Sequence, residues 1–208
     1  MVDFQFAEPS LAALYDLFCP WDPRGDSGFY LPLVMAAESV LDVGCGTGML
    51  LRRARAEGHP GRLCGLDPAA AMLDVAQAGT GSGIDWVLGD LSSVRWQEKF
   101  DLIVMTGHAF QVLTGDEQLR EALAAVQAVL GPGGRFAFET RNPLVRQWEH
   151  WVPRERAGDH RSRRDRGADG AAGRAAGRGR SCLVHVHVLV SELGTTAGQP
   201  QRAALPYR

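Results

Sequence analysis

Short apolar runs and longer stretches with helical spacing alternate between residues 40 and 139. Val40-Leu41-Asp42-Val43 reads as a strand, and the helix-forming run Met49 to Glu57 follows it. Arg62 to Asp67 reads as a second strand that ends in an acid, and Pro68 to Leu73 opens a helix with Pro68 in its first turn. Ile84 to Leu88 is a third strand, closed by Gly89-Asp90-Leu91. Phe100 to Met105 is a fourth, running into Thr106-Gly107-His108, and Gly134 to Glu139 is a fifth. Between the last two, Leu119, Leu123, Val126 and Leu130 fall at helical spacing over Asp116 to Leu130, and Gly131-Pro132-Gly133 is placed to stop that helix. Strands alternating with helices predict an α/β fold, a doubly wound and mostly parallel sheet. Upstream, Ser10 to Phe18 has the spacing of one amphipathic helix capped by Ser10, with Trp21, Phe29 and Tyr30 in a loop rich in Asp, Pro and Gly. Far downstream, Leu183 to Val190 reads as an extra strand, with valines on one face and His185 and His187 on the other.

The junction after the first strand carries the chemistry. Val40 to Gly48 reads V-L-D-V-G-C-G-T-G. A strand, a glycine turn and a helix form a nucleotide-cofactor site at the carboxyl edge of a parallel sheet. Dinucleotide turns favour G-x-G-x-x-G, with a helix N-terminus at the pyrophosphate. Here the spacing is G-x-G-x-G, and Asp42 stands two residues ahead of it. A carboxylate beside the turn suits a cationic ligand better than a diphosphate, because like charges repel. Asp67 lies about 20 residues further on, where an acid can accept hydrogen bonds from both ribose hydroxyls. An Asp at a strand end is also a common cap or turn former, and Asp85 and Asp101 are read that way.

On these residues the chain resembles the class I S-adenosylmethionine-dependent methyltransferases, from about Ser27 to about Pro143. The resemblance implies a Rossmann-like methyltransferase sheet and S-adenosylmethionine (SAM) as cofactor, a ligand with an ammonium, a sulfonium and no phosphate. It implies that Gly44 and Gly46 face the methionine part and that Asp42 holds the amino end. Asp67 would bind the ribose, Asp90 the adenine amino group, and Met72 and Leu91 the adenine faces. Thr106 would line the methionine end, and Cys45, Gly48, Pro68 and Gly89 complete the cofactor-binding set. Cys45 reads on its own as a small packing residue, not a nucleophile. His108, after the fourth strand at the ligand edge, is the candidate general base for a poorly ionised acceptor; a loop histidine bonded to backbone is the competing reading. Tyr15, Tyr30 and Arg141 are the candidate substrate-pocket residues, with Trp148 and Trp151 as possible further wall. Tyr15 and Tyr30 have an ordinary packing reading as well, and Arg141 could instead pair with Glu139.

The resemblance and the composition divide the chain into an N-terminal helical lid (1–38), a SAM-binding core (39–152) and a tail (153–208). The tail from Pro153 to Arg180 is rich in Arg, Gly and Ala and nearly free of apolar residues. Such a segment cannot bury enough surface to offset its ordering entropy. It is expected to be disordered, or to be the product of a shifted reading frame in GC-rich coding sequence, since Lys99 is the only lysine of the chain. A strand over about 182–190 is the exception. Two histidines at i and i+2 there offer no third metal ligand, so no metal is expected. Full members of the family carry seven strands, so the sheet is expected to be incomplete at its C-terminal edge, leaving the fifth strand bare.

Size and charge fit a single enzyme domain. The chain has 208 residues and a net charge of -2, so no global field draws in nucleic acid or an acidic membrane. Four scattered cysteines without C-x-x-C pairing read as reduced thiols, and the start lacks the basic stretch of a secretory signal; a cytoplasmic location is expected. The reading is therefore a SAM-dependent methyltransferase acting on a small-molecule acceptor. The alternatives are a SAM-binding but inactive or truncated remnant, and an NAD(P)-dependent oxidoreductase, which the glycine spacing, Asp42 and the lack of a Tyr-x-x-x-Lys pair disfavour.

Overall fold

Residues that are apolar on both faces of a strand need cover on both faces, and that is the arrangement found in a computed structural model of the chain. It describes residues 2–22, 26–79, 83–107, 109–141 and 184–190. Most of the 153–208 tail, with Trp148 and Trp151, lies outside the described residues. Strand β1 (Ser39–Val43) pairs in parallel with β2 (Arg62–Asp67) on one side and β4 (Phe100–Met105) on the other. Strand β3 (Ile84–Leu88) pairs in parallel with β2, and β5 (Leu130–Arg141) with β4. With β6 (Val184–Val190) the order across the sheet is β3-β2-β1-β4-β5-β6. The extra strand expected over about 182–190 is thus present as β6, and it takes the edge of β5, so that edge is not bare. The alternating valines of β6 supply the β-propensity for this.

Side chains alternate across the sheet with period two. Val40, Leu63, Ile84, Leu102, Val104 and Ala137 face one core, shared with Tyr30 and Val34 of α4 (Asp26–Met35) and Leu50, Leu51 and Ala54 of α5 (Met49–Ala56). Leu41, Val43, Cys64, Leu66, Ile103, Met105, Phe136 and Phe138 face the other, shared with Val126 and Val129 of α7 (Asp116–Val129). Helices on both faces make the sheet doubly wound, as expected. The order in which successive strands are laid down reverses between β1 and β4, so their carboxyl ends bound the crevice in which such sheets bind ligands. The opposite ends are stapled: Asp101 Oδ2 accepts the Ser39 N–H at 3.0 Å and its hydroxyl at 2.9 Å. Asp85 pairs with Arg62 at 3.5 Å. Both acids serve the frame of the sheet.

Several local expectations need correction. The single helix over Ser10–Phe18 is two short helices, α2 (Pro9–Ala12) and α3 (Tyr15–Phe18), preceded by α1 (Phe4–Ala7). Pro9 has no N–H to lose at a first helical position and starts a fresh helix there. Ser10 caps nothing; its hydroxyl donates to Glu8 Oε1 at 2.9 Å. Phe29 and Tyr30 are not in a loop but on α4, which carries Pro32 inside it and is held by burial. Pro68 lies ahead of α6 (Ala70–Ala78), whose N-cap is Ala69, and so stands outside the helix it was expected to open. Gly131-Pro132-Gly133 ends α7 as expected, yet lies within β5. There the register slips from Phe100↔Leu130 to Leu102↔Arg135, so extra residues are absorbed as a bulge. Among the described residues no helix is long and apolar enough to cross a membrane. The chain divides into two compact units, Met1–Thr140 with Val186–Arg208, and Arg141–His185; all the helices belong to the first.

Candidate cofactor site

The turn after β1 is tied down by its own backbone. Gly44 and Cys45 both donate their N–H groups to Leu66 O, at 2.7 and 3.2 Å, and Gly48 donates to Cys45 O at 2.9 Å. Gly46 donates to Asp67 Oδ2 at 2.8 Å. A turn that binds phosphate must aim free N–H groups at it. Here four donors of the turn are already committed, so it is not an anion cradle. What it offers a ligand is space. Gly46, at φ +55°, has no atom within 4 Å of the position a Cβ would take. Gly48, at φ +72°, is required for the opposite reason: a Cβ there would meet Trp86 at 2.1 Å.

Two carboxylates stand behind this turn. Asp42 is 1% exposed, and its Oδ1 has no hydrogen-bond partner. Burial, and then the charge of Asp67, push its pKa up to about 7. Asp67 is 7% exposed; its Oδ2 takes the Gly46 N–H and its Oδ1 the Ala69 N–H, each at 2.8 Å. Burial raises the Asp67 pKa, and those two N–H groups oppose the rise. A buried acid with an oxygen left over is stabilised by a cation and destabilised by a further anion. Burial, then Asp42, also push the Cys45 thiol far up, so it stays protonated and is a poor nucleophile. Cys64 is pushed up to about 12, first by burial and then by Asp85.

The remaining expected residues surround this centre unequally. Met72 is 2% exposed and packs with Ala69, Ala71 and Ala12; Phe6 and Tyr15 from the N-terminal helices cover that cluster. Tyr15 thus sits over the Asp67–Met72 segment, and burial, ahead of Cys19, pushes its pKa up to about 12. Tyr30 is fully buried between α4 and the sheet, so its ring packs the core instead of walling a pocket. Gly89, at φ +146°, precedes Asp90, whose Oδ1 accepts the Ser92 and Ser93 N–H groups at 2.9 Å and the Ser92 hydroxyl at 2.6 Å. These bonds, the Ser92 hydroxyl foremost, lower the Asp90 pKa. Leu91 packs at the margin of the α7-side core. Thr106 directly follows β4, and its carbonyl accepts the Ala109 N–H at 3.2 Å. Arg141 ends β5. His108 lies outside the described residues.

Four contributors carried no signal strong enough to be read from sequence: Asp16, Thr47, Trp86 and Ala109. Thr47 lies inside the motif, but its partner Asp16 is 31 residues away. A Cβ on Gly44 would come within 2.6 Å of Ala109 Cβ, so the loop after β4 presses on the glycine turn. That loop is braced by stacking: Phe110 on Phe138 with centroids 4.2 Å apart, and Phe138 on Phe136 at 4.8 Å. Among the described residues no cluster of three His, Cys, Asp or Glu side chains is placed to hold a metal ion.

Residues 40–134, which run from β1 to the start of β5 and contain this whole arrangement, match the methyltransferase domain family. The family match, the curated relatives and the solved structures all indicate a class I SAM-dependent methyltransferase. It is 30% identical over 131 residues to a malonyl-[acyl-carrier protein] O-methyltransferase of Hahella chejuensis, covering 62% of this chain and 46% of that protein. A SAM-bound amino pentose methyltransferase from Micromonospora echinaspora, involved in calicheamicin biosynthesis, superposes with a TM-score of 0.50 at 27% identity, over 66% of this chain and 57% of its own. DesVI of Streptomyces venezuelae superposes with a TM-score of 0.53 at 28% identity, with the same two coverages. The chain therefore spans about half the length of the relatives it matches. SAM is the cofactor of this family, and the residues present fit it. The leftover oxygen of Asp42 suits an ammonium, four amides of the turn are engaged within the protein and so withheld from a phosphate, and the room over Gly46 admits a ligand.

Proposed function

We propose that this methyltransferase moves a methyl group from SAM to a small-molecule acceptor. The observation that carries the reading is the pairing of a glycine turn, four of whose amides are engaged within the protein, with a buried carboxylate, Asp42, that has an oxygen to spare. That combination selects a positively charged nucleoside over a dinucleotide. In this reading Asp42 holds the amino end, Gly44, Gly46 and Thr106 border the methionine part, and Asp67 takes the ribose. Met72 and Leu91 flank the adenine, with Asp90 at its amino group and Cys45, Gly48, Pro68 and Gly89 shaping the backbone around it. SAM supplies an electrophilic methyl on a sulfonium. The work left to the protein is alignment and the exclusion of water. His108 takes a proton from an acceptor hydroxyl or amine that is not already ionised, and Tyr15 and Arg141 border the acceptor side. The named relatives act on different acceptors, a malonyl group on acyl-carrier protein in one case and an amino pentose in another. The shared part is the donor site.

Radiolabelled SAM incubated with the chain and a panel of small acids, amines and phenols tests this. Acceptor-dependent label transfer is expected, falling about 10²- to 10⁴-fold in His108→Ala if that residue is the base. Bound SAM with no transfer to any acceptor would leave a SAM-binding protein without methyltransferase activity.

A further inference from the structure

The N-terminal helices have little to hold them in place. α1, α2 and α3 are four residues each, far too short to be stable alone. Leu17 and Phe18 are each 76% exposed, so part of their apolar surface makes no contact with the core. Ala12, Phe6 and Tyr15 carry the apolar packing of their underside against α6. One polar contact reinforces this. Asp16, the one charged residue within the three helices, accepts the Thr47 hydroxyl on Oδ1 at 2.5 Å and the Arg52 guanidinium on Oδ2 at 2.7 Å. Thr47 belongs to the glycine turn and is 2% exposed, while Arg52 is on α5. In this closed arrangement Asp67 and Met72 are nearly inaccessible, so a ligand reaches them only if the helices lift.

We propose that Asp16 is the latch of this lid, a positioning residue that holds α1–α3 against the glycine turn and must release Thr47 and Arg52 for the cofactor to enter or leave. An exposed ion pair is worth little, but a carboxylate with both oxygens engaged, one by a buried hydroxyl, is a stronger and more directional contact. Because so little else holds these helices, its loss shows in their opening and not in the stability of the sheet. The cofactor half of this proposal rests on the SAM reading above; the latch itself does not.

The test compares the wild-type chain with Asp16→Asn, Arg52→Gln and Arg52→Lys. Amide hydrogen exchange over residues 14–19, measured without ligand, is expected to quicken about tenfold in Asp16→Asn and Arg52→Gln, as for the loss of a charge-assisted hydrogen bond. Arg52→Lys is expected to stay near wild type, and the melting temperature to move little in all three. SAM dissociation, followed by tryptophan fluorescence, is expected to quicken by a similar factor in the first two, with kcat less affected than KM. Unchanged exchange in Asp16→Asn overturns the latch whether or not SAM binds. Faster exchange with an unchanged SAM dissociation rate overturns its control of access. A wild-type chain that binds no SAM overturns the cofactor reading, and the exchange data then judge the latch alone.

Discussion

Asp42 and Asp67 occupy one small volume, and their behaviour follows from burial. Folding raises Asp42 from its ordinary 3.8 to about 7. Ionising it therefore costs stability in the ligand-free protein. Its contribution is present in full below about pH 4 and is lost as the pH rises through about 7. A cationic ligand reverses this, because it favours the ionised form. SAM affinity is thus expected to weaken as the pH falls below about 7, by up to tenfold per unit, and calorimetric titrations across that range check it. Asp42→Asn should melt higher than wild type at alkaline pH, bind SAM less tightly and lose the pH dependence. Asp67→Ala should be costly in another way. It strips the Gly46 and Ala69 N–H groups of their acceptor, at about 1–3 kcal/mol for each buried donor, so both the melting temperature and SAM affinity should fall. Both acids were legible in the sequence because they stand at fixed distances from the glycines. What was not legible is that Asp67 spends its two oxygens holding the turn, or that Asp90 spends one on Ser92 and Ser93. Tyr30 shows the limit of composition as a guide: an aromatic near a site reads the same whether it faces a ligand or, as here, the core.

At the level of elements, long-range packing decides what local pattern leaves open. β2, β3 and β4 were read with their observed bounds, since each is a short apolar run set off by turn residues or acids. α4 carries no helical signal in the sequence because Phe29 to Met35 is apolar throughout and contains Pro32, so it has neither helical periodicity nor helical propensity; burial against Val40, Leu102 and Val104 compensates. The single N-terminal helix was misjudged because Pro9 starts a new helix locally and Asp16 finds its partners only in the folded chain. The stack of Phe136, Phe138 and Phe110 ties β5 to the loop that presses on Gly44. Phe138→Ala is expected to cost about 3–5 kcal/mol and to weaken SAM binding, whereas Phe138→Leu should cost less than half as much. Denaturant midpoints and SAM titrations of the two variants measure both effects. Gly48→Ala should be destabilising at this scale as well, because a left-handed residue acquires a side chain that must displace Trp86. A change in tryptophan emission would report that displacement.

For the molecule as a whole, the strand order places the glycine turn after β1 and Thr106 after β4 on either side of the crevice where the strand order reverses. The placing of these motifs around the crevice is therefore a property of the fold, readable from their order along the chain. The acceptor site is not, because relatives that share this fold are named for different acceptors. The central claim is that the crevice binds SAM and not a dinucleotide. Isothermal titration calorimetry of the full chain with SAM, and separately with NADH, tests it most directly. One-to-one binding of SAM that strengthens as the pH rises through about 7, with no heat from NADH, is the predicted result. Binding of NADH, or SAM affinity equal in wild type and Asp42→Asn at every pH, would contradict it.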